Sequence, residues 1–274
     1  MPDLAATIKN SKVRCYQYRM RILDISQKVS ALHMAPAFSC LEIVDCIYNV
    51  LMQDHTDHAL RDVFIMSKGH GCMAQFVVLE DKGILPKKDL DEFGKDGGRL
   101  GAHPDYGLPG IEASTGSLGH GLSLAVGMAY ADKMKKQTNK TYCVISDGEL
   151  QEGSTWEAIL MASTLELNNL IVFVDNNDFI SIGRTSESHP HFYPLLEKFS
   201  AFGWEVYEVD GHDTKQLYET ATNRLNNKPC VIIGKTVKGK GVSYMENQPV
   251  WHYRSPSSEE YKIAMTELEG SLAS

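Results

Sequence analysis

The sequence lacks the cysteine patterns that mark disulfide-rich or zinc-binding proteins. Its six cysteines are scattered and include no Cys-x-x-Cys pair; they lie at positions 15, 40, 46, 72, 143 and 230. Several of them lie inside apolar runs, as Cys143 does in a predicted strand. This pattern favours reduced thiols in a protein core over a disulfide framework or a metal site.

Positive charge and long apolar runs are also scarce. The 274 residues carry a formal net charge of -8, from 27 basic and 35 acidic side chains. This balance argues against nucleic acid or an anionic membrane as the main partner. No apolar run approaches the roughly 20 residues that a membrane-spanning helix needs, and the N-terminus lacks a long apolar core. We therefore expect a cytoplasmic protein with neither a nucleic-acid nor a membrane partner.

Apolar strands that alternate with helical patterns indicate the fold class. Strands are predicted at 63–66, 141–145, 170–174, 204–209 and 230–233. Helices are predicted at 41–51 with Ser39 as N-cap, and at 122–136, 214–225 and 258–269. Such alternation is typical of an α/β fold with a mainly parallel central sheet and helices on both faces. We expect one domain over residues 1–274, with an irregular C-terminal tail from about 241.

Two of the predicted strands end in residues that can hold a metal ion. Ser146-Asp147-Gly148 follows one strand, and Asn176-Asn177 ends the next. A parallel strand–helix–strand unit places these ends side by side, where α/β sheets bind ligands. A carboxylate and an amide oxygen suit a hard cation such as Mg²⁺, and Gly148 lets a backbone approach a diphosphate. Either motif alone is common in turns, but their surroundings favour a metal–diphosphate site.

A glycine-rich segment at 94–121 shows little periodicity, and a loop this long in a compact domain is usually functional. It ends in Ser114–Gly121, a second candidate cofactor loop that leads into a helix of small residues. The loop lacks the lysine of a P-loop, so nucleotide hydrolysis is not expected. Tight helix packing is the alternative interpretation of its glycines.

Four histidines lie in irregular segments: His33, His70, His103 and His252. A lone histidine more often has a structural or surface role. Loops carry catalytic residues, however, and imidazole is the usual proton shuttle near neutral pH. Their spacing is not that of a zinc site. The basic loop Lys235–Gly241 is compatible either with contact to an anionic substrate or with an ordinary solvated turn.

Together these segments resemble the N-terminal, diphosphate-binding half of the transketolases. The resemblance is carried by Ser67–His70, Ala102–Pro104, Pro109–Glu112, Ser114–Gly119, Asp147–Gly153, Trp156–Ala158, Val174–Asn177, Val209–His212, Lys235–Thr236, Gly239–Gly241 and Trp251–His252. That family binds thiamine diphosphate with Mg²⁺ or Ca²⁺. The resemblance therefore implies the thiamine diphosphate-binding fold, known as the PP domain.

The resemblance also implies roles for individual residues. The metal ligands would be Asp147, Asn177 and the main-chain oxygen of Phe179. Cofactor contacts would come in addition from Gly116, Leu118, Gly148 and Glu152. Of these, Gly148 would touch the diphosphate, and Glu152 would lie at the subunit contact that links paired active sites.

The histidines would line the thiazolium and the substrate channel, and we expect proton handling from His33, His70, His103 and His252. The sequence also departs from the usual family pattern. Ser146 replaces a glycine and is expected to crowd the metal loop slightly. The segment Met34-Ala35-Pro36 replaces Pro-Gly-Gly, and Tyr253 replaces a glycine at the edge of the channel.

Transketolases are usually much longer than this chain. Their second domain carries the glutamate that activates the cofactor and the arginines that bind sugar phosphate. We therefore expect the N-terminal subunit of a split transketolase, inactive without its C-terminal subunit, which supplies the pyrimidine-binding and C-terminal domains. An α2β2 assembly of the two would transfer a two-carbon ketol unit from a ketose to an aldose, with or without a phosphate on the sugar.

Two other functions remain compatible with parts of the sequence. The Asp-Gly to Asn motif also fits the alpha-type subunit of a 2-oxoacid decarboxylase or dehydrogenase, although the His-Pro and Trp-His segments favour transketolase. A non-catalytic scaffold subunit that keeps the fold is the third hypothesis. Intact Asp147 and Asn177 argue against the scaffold.

Overall fold

The computed structural model describes residues 4–53, 61–181 and 183–273. Its strands are β1 (Val63–Met66), β2 (Thr141–Ser146), β3 (Leu170–Asn176), β4 (Phe179–Ile180), β5 (Gly183–Arg184), β6 (Glu205–Asp210) and β7 (Cys230–Lys235). The central sheet has five parallel strands in the order β1-β2-β3-β7-β6, and β4 pairs with β5 in a short antiparallel ribbon. The predicted strands of the sheet are all present, and the predicted fold class is confirmed.

The helices are α1 (Leu4–Ser26), α2 (Met34–Cys46), α3 (Cys72–Asp81), α4 (Lys87–Asp91), α5 (Gly121–Met134), α6 (Gly153–Thr164), α7 (Thr185–Ser188), α8 (Leu195–Ala201), α9 (Thr214–Thr222) and α10 (Ser258–Ala273). A π-helical turn, Ile47–Leu51, extends α2. Short 3₁₀ turns lie at Gly69–Gly71, Gly148–Gln151 and Pro249–Tyr253. Apart from the last of these turns, the segment between β7 and α10 is irregular.

Alternate residues of the sheet enter two separate hydrophobic cores. In β2, Tyr142 and Val144 pack on the side of α1, α2, α3 and α9. Cys143 and Ile145 pack on the opposite side, against α5, α6 and α8. Because both faces are covered, the central strands β2, β3 and β7 are almost entirely buried, as parallel strands usually are, whereas the edge strand β6 is only partly buried. The ends of the strands are therefore the part of the sheet that is open to a ligand.

Helix α2 begins earlier than predicted, so the assignment of Ser39 as an N-cap is wrong. Ser39 lies inside α2 and is completely buried, and its hydroxyl donates to Asp175 Oδ1 at 2.6 Å. Among the described residues, the stretch Met34–Leu51 has the length and mean hydropathy, 1.3, of a membrane span. The prediction that no apolar run approaches this length is therefore wrong for this stretch, of which 89% is buried inside the protein.

All six cysteines are free and buried, in agreement with the prediction of reduced core thiols. Four of them lie in α1, α2 and α3, and two lie in the sheet strands β2 and β7. Burial raises the pKa of the Cys40 thiol to about 12, since the interior disfavours a thiolate. The native fold therefore holds its thiols in the protonated form.

Candidate active site

The carboxyl ends of β2 and β3 meet at the centre of the sheet, with Ser146 opposite Asp175 in the parallel register. Asp147 follows β2, and Asn177 follows β3. Asp147 Oδ2 accepts the Asp178 amide at 2.6 Å, and Asn177 Oδ1 accepts the Phe179 amide at 3.0 Å. A Cβ on Gly148 would lie 3.1 Å from the carbonyl oxygen of Phe179. The three predicted metal ligands are thus brought together around Gly148.

The chemistry of these donors fits a hard cation. Asp147 is completely buried, and this burial raises the pKa of its carboxyl to about 7. Its Oδ2 also accepts the Tyr193 hydroxyl at 2.8 Å, whereas Oδ1 accepts the neighbouring Gly148 amide at 2.9 Å. A cation at this carboxylate would offset its desolvation and keep it ionised. One carboxylate, one amide oxygen and one peptide oxygen are ligands that Mg²⁺ and Ca²⁺ both accept.

A buried ion pair lies directly behind these donors. Lys68 Nζ contacts Asp175 Oδ2, and both side chains are fully buried. Asn177 Nδ2 donates to the same carboxylate oxygen at 3.1 Å and to Ser39 Oγ at 3.1 Å. These bonds fix the amide of Asn177, so that its oxygen faces the 177–179 turn. Lys68 and Asp175 are 107 positions apart in the chain. Local sequence patterns therefore do not predict that they pair.

The four predicted histidines form one cluster above the strand ends. Ring centroids lie 5.8 Å apart for His33 and His70, 5.6 Å for His33 and His103, and 5.4 Å for His33 and His252. Burial, followed by neighbouring positive groups, lowers the pKa of His33 to about 4 and that of His252 to about 3. The same causes lower the pKa of His70 well below its ordinary value. These three rings are therefore neutral at pH 7.

The histidines and the metal-ligand turn line one cavity of about 330 Å³. Every predicted site residue except Asp147, which lies beneath the surface, contributes to its wall. The walls include His33, His70, His103, Gly116, Leu118, Gly148, Glu152, Asn177, Phe179 and His252. The cavity is therefore the place where the predicted cofactor and catalytic residues converge.

Gly116 has a positive φ of 131° and lies against His103. A Cβ at this position would approach the His103 ring to 2.7 Å, so only glycine leaves room for the imidazole. A Cβ at Gly69 would in turn approach the Gly116 amide nitrogen to 2.5 Å. The two loops therefore pack backbone against backbone beside the cavity.

Lys238 lies in the basic loop Lys235–Gly241, for which the sequence alone does not distinguish contact with an anionic substrate from a solvated turn. Its side chain is 2% exposed, and its Nζ donates to Ser181 O at 3.0 Å and to His252 Nδ1 at 3.0 Å. Because Nδ1 accepts, the neutral His252 ring carries its hydrogen on Nε2. Burial, and then Lys68, lower the pKa of Lys238 to about 8, so it is mainly charged at pH 7. A buried cation in this wall suits a phosphate group, and the solvated-turn alternative is wrong for Lys238.

Ser146 stabilises the turn that follows β2. Its hydroxyl accepts the Glu149 amide at 3.1 Å, within the 3₁₀ turn Gly148–Gln151, whose N-cap is Asp147. The expected slight crowding of the metal loop by Ser146 stays a prediction. Glu149 Oε1 accepts from Ser67 Oγ at 2.5 Å and from the Gly119 amide at 3.0 Å. This buried carboxyl joins three loops around the cavity, and its burial raises its pKa to about 7.

The other two departures lie next to His33. Met34, Ala35 and Pro36 form the first turn of α2 and are fully buried, and Pro36 O accepts Lys68 Nζ at 3.0 Å. The Tyr253 ring packs against His33 with centroids 4.4 Å apart, and it is 52% exposed. Tyr253 therefore forms the outer edge of the histidine cluster.

Comparison with known proteins identifies the family. The protein-family model described as "Transketolase, thiamine diphosphate binding domain" matches residues 11–268 of the sequence. The chain belongs to the transketolase family. The fold described above is its thiamine diphosphate-binding domain, and the predicted relationship is confirmed.

Relatives of similar length are named as transketolase subunits. The chain is 38% identical to a Phocaeicola vulgatus protein that is named as a subunit of apulose-4-phosphate transketolase. The alignment covers 95% of this chain and 94% of that protein. It is 38% identical to the 6-deoxy-6-sulfo-D-fructose transketolase subunit SqwG of a Clostridium species, over 92% and 93% of the two chains.

Solved transketolases share the fold over a part of their length. The Campylobacter jejuni enzyme aligns with a TM-score of 0.89 and 27% identity, covering 95% of this chain and 43% of that enzyme. The Leishmania mexicana enzyme aligns with a TM-score of 0.86 and 28% identity, covering 96% and 41% of the two chains. This chain therefore spans about two fifths of the solved transketolases that it matches.

Proposed function

We propose that this protein is the N-terminal subunit of a two-subunit transketolase. With its partner it transfers a two-carbon ketol unit from a ketose to an aldose, and it binds Mg²⁺ or Ca²⁺ together with thiamine diphosphate. One observation carries the proposal: a cavity that unites the oxygen donors around Gly148 with four clustered histidines, in a chain of the same length as relatives named as subunits. The relatives' names include a sugar phosphate and a sulfonated sugar, which supports an anionic sugar as substrate.

The residues of the cavity divide the work between binding and proton handling. Asp147, Asn177 and the Phe179 carbonyl would hold the cation, and Lys238 would contact the diphosphate. Thiamine diphosphate, when bound, supplies the carbon nucleophile. The neutral histidines His33, His70 and His252 can donate or accept hydrogen bonds at substrate oxygens and move protons there. With His103, they form the wall that faces the substrate.

A partner chain is expected next to helices α5 and α6. Their outer faces expose large apolar side chains: Leu124 at 42%, Met134 at 64%, Leu160 at 54% and Met161 at 50%. Both helices begin beside the cavity, because Leu118, three residues before α5, and Glu152, directly before α6, line it. Exposed apolar surface of this kind marks protein contacts. A chain that covers these helices would also reach the cavity, as the pyrimidine-binding partner of an α2β2 assembly must.

We further propose a cytoplasmic location. Six unpaired, buried cysteines in one chain are typical of proteins that fold in a reducing compartment. Cell fractionation, followed by detection of the native protein in each fraction, tests this location. Recovery of the protein in a membrane or secreted fraction contradicts it.

The proposed function is tested by reconstitution. The chain is mixed with a second chain that matches the remaining part of the transketolases, together with Mg²⁺, thiamine diphosphate, a ketose and an aldose. We expect ketol transfer by the mixture and none by either chain alone. Ketol transfer by the isolated chain at the full rate of the mixture overturns the split site. Decarboxylation of 2-oxoacids is assayed in parallel. If the mixture decarboxylates 2-oxoacids but does not transfer ketol units, the result supports the 2-oxoacid dehydrogenase alternative.

A further inference from the structure

We infer that His212 is a positioning residue that holds Lys238 in the cavity through the main-chain amide of Val237. The inference rests on the proposed function, in which Lys238 contacts the diphosphate. His212 lies outside the cavity, in the turn between β6 and α9, and its side chain is 13% exposed. Its own amide donates to Asp210 Oδ1 at 2.9 Å, which fixes the turn.

The hydrogen bonds of His212 define its tautomer. The Val237 amide donates to His212 Nε2 at 2.9 Å, and an amide cannot accept. Nε2 is therefore the unprotonated nitrogen, and Nδ1 carries the hydrogen. Nδ1 lies 2.9 Å from Glu42 Oε2 and donates to it. The imidazole thus joins a carboxylate in α2 to the backbone of the loop that carries Lys238.

Glu42 is itself held by a buried ion pair. Arg19 of α1 donates to both carboxylate oxygens, at 2.7 and 2.9 Å, and to Phe38 O at 2.9 Å. Burial alone would raise the pKa of Glu42, but Arg19 and His212 hold it at about 2. Glu42 is therefore a fixed anion that orients the imidazole, as a carboxylate behind a histidine commonly does. The anchor of His212 lies in the helical layer, away from the cavity.

The loop after β7 is fixed on both sides of Val237. The Thr236 amide donates to Asn176 O at 3.1 Å, and the Gly239 amide donates to Ala35 O at 3.1 Å. Between these points, the Val237 amide has the acceptor supplied by His212. This bond is partly buried, and an amide that loses its acceptor there is destabilising, so the loss of Nε2 would favour a turn of residue 237 toward another partner. The adjacent Lys238 would then leave its place beside Ser181 O and His252.

Two substitutions separate the two ends of the imidazole. His212→Asn places an amide near Nδ1, which retains the donor to Glu42 but not the acceptor for Val237. His212→Gln places an amide near Nε2, which can accept from Val237. In the assembled complex we expect His212→Asn to weaken thiamine diphosphate binding on the order of tenfold, and His212→Gln to weaken it by less than about threefold. His191→Asn, at an exposed histidine, is the control and should change nothing.

A second measurement does not depend on activity or on the cofactor. Hydrogen exchange of the Val237 amide in this chain should accelerate in His212→Asn and remain slow in His212→Gln. The double variant His212→Asn/Lys238→Met should bind the cofactor no more weakly than Lys238→Met alone, since His212 acts through Lys238. A purely structural role of His212 would instead weaken binding by the same factor in both backgrounds.

The outcomes distinguish this inference from the proposed function. Equal cofactor affinities for the Asn and Gln variants, or additive losses in the double variant, overturn the role of His212. A parent assembly that does not bind thiamine diphosphate overturns the proposed function and this inference together. If His212→Asn does not fold, His212→Gln decides: a tenfold loss of affinity with a protected Val237 amide overturns the inference, and retained affinity with that protection supports it.

Discussion

Lys68 and Asp175 form an ion pair in which neither side chain is exposed to solvent. Lys68 follows the first strand of the sheet, and Asp175 lies near the end of β3. Burial, the largest single influence, opposes charge on both groups, yet each partner keeps the other ionised: the pKa of Lys68 is raised and that of Asp175 is lowered. The pair lies behind Asn177 and therefore connects the stability of the fold with the geometry of the site.

Removal of one partner of this pair should destabilise the protein strongly. Lys68→Met leaves the Asp175 carboxylate buried and unpaired, for which we expect a loss of about 3–5 kcal/mol in the free energy of unfolding. Urea denaturation measures the effect. The matched control is Lys87→Met, which breaks an exposed pair with Asp91 and should change stability by less than about 1 kcal/mol. Equal losses in the free energy of unfolding for the two substitutions would show that the buried pair contributes no more to stability than the exposed pair.

The ionised Asp147 carboxylate should bind a cation but lower the stability of the cation-free protein. The pKa of its carboxyl rises from the ordinary 3.8 to about 7 because of burial, so the folded chain binds a proton more readily than the unfolded chain. Stability without a cation therefore falls as the pH rises through this window. We expect Asp147→Asn to be at least as stable as the parent at pH 8, but no longer stabilised by Mg²⁺ with thiamine diphosphate. Thermal unfolding with and without these ligands measures both effects, and ligand stabilisation of the variant contradicts the assigned metal site.

The histidine cluster should make the fold sensitive to mild acid. The folded-state pKa values of about 4 for His33 and about 3 for His252 lie below the ordinary 6.5. The unfolded chain binds these protons first, so stability is lost as the pH falls from about 6.5 toward 4. His33→Gln, which removes one such group, should flatten this decline. Chemical denaturation at several pH values gives the slope; His189→Gln, at an exposed site, should keep the slope of the parent.

Tyr253 should influence which substrates enter the cavity. Its ring packs on His33 at the outer edge of the cluster, so Tyr253→Gly removes an aromatic ring beside the histidines that we propose to face the substrate. In the reconstituted assembly we expect the ratio of kcat/KM between a longer and a shorter aldose to rise by about 2- to 10-fold. Tyr253→Phe, which keeps the ring, should preserve the ratio. Unchanged selectivity in Tyr253→Gly would place the ring outside the substrate path.

The sequence predicted the sheet well because its central strands are buried on both faces and are therefore mostly apolar. It predicted the members of the cavity through motifs, since Asp147, Asn177 and the histidines each lie in a recognisable segment. It failed at the start of α2, where Pro36 suggests a loop but is tolerated in the first turn of a helix. The roles of Lys68 and Lys238 depend on burial and on partners distant in the chain. Neither property can be derived from local pattern.

The buried cysteines provide this protein with an internal reporter of unfolding. The thiolate is the species that attacks a thiol reagent, and burial of all six side chains both shields them and keeps them protonated. Labelling should therefore proceed only as fast as the structure opens. Cys15, Cys40, Cys46 and Cys72 report on the helical layer, and Cys143 and Cys230 report on the sheet. Mass spectrometry of the labelled positions would show, without any engineered probe residue, whether the helices detach before the strands separate.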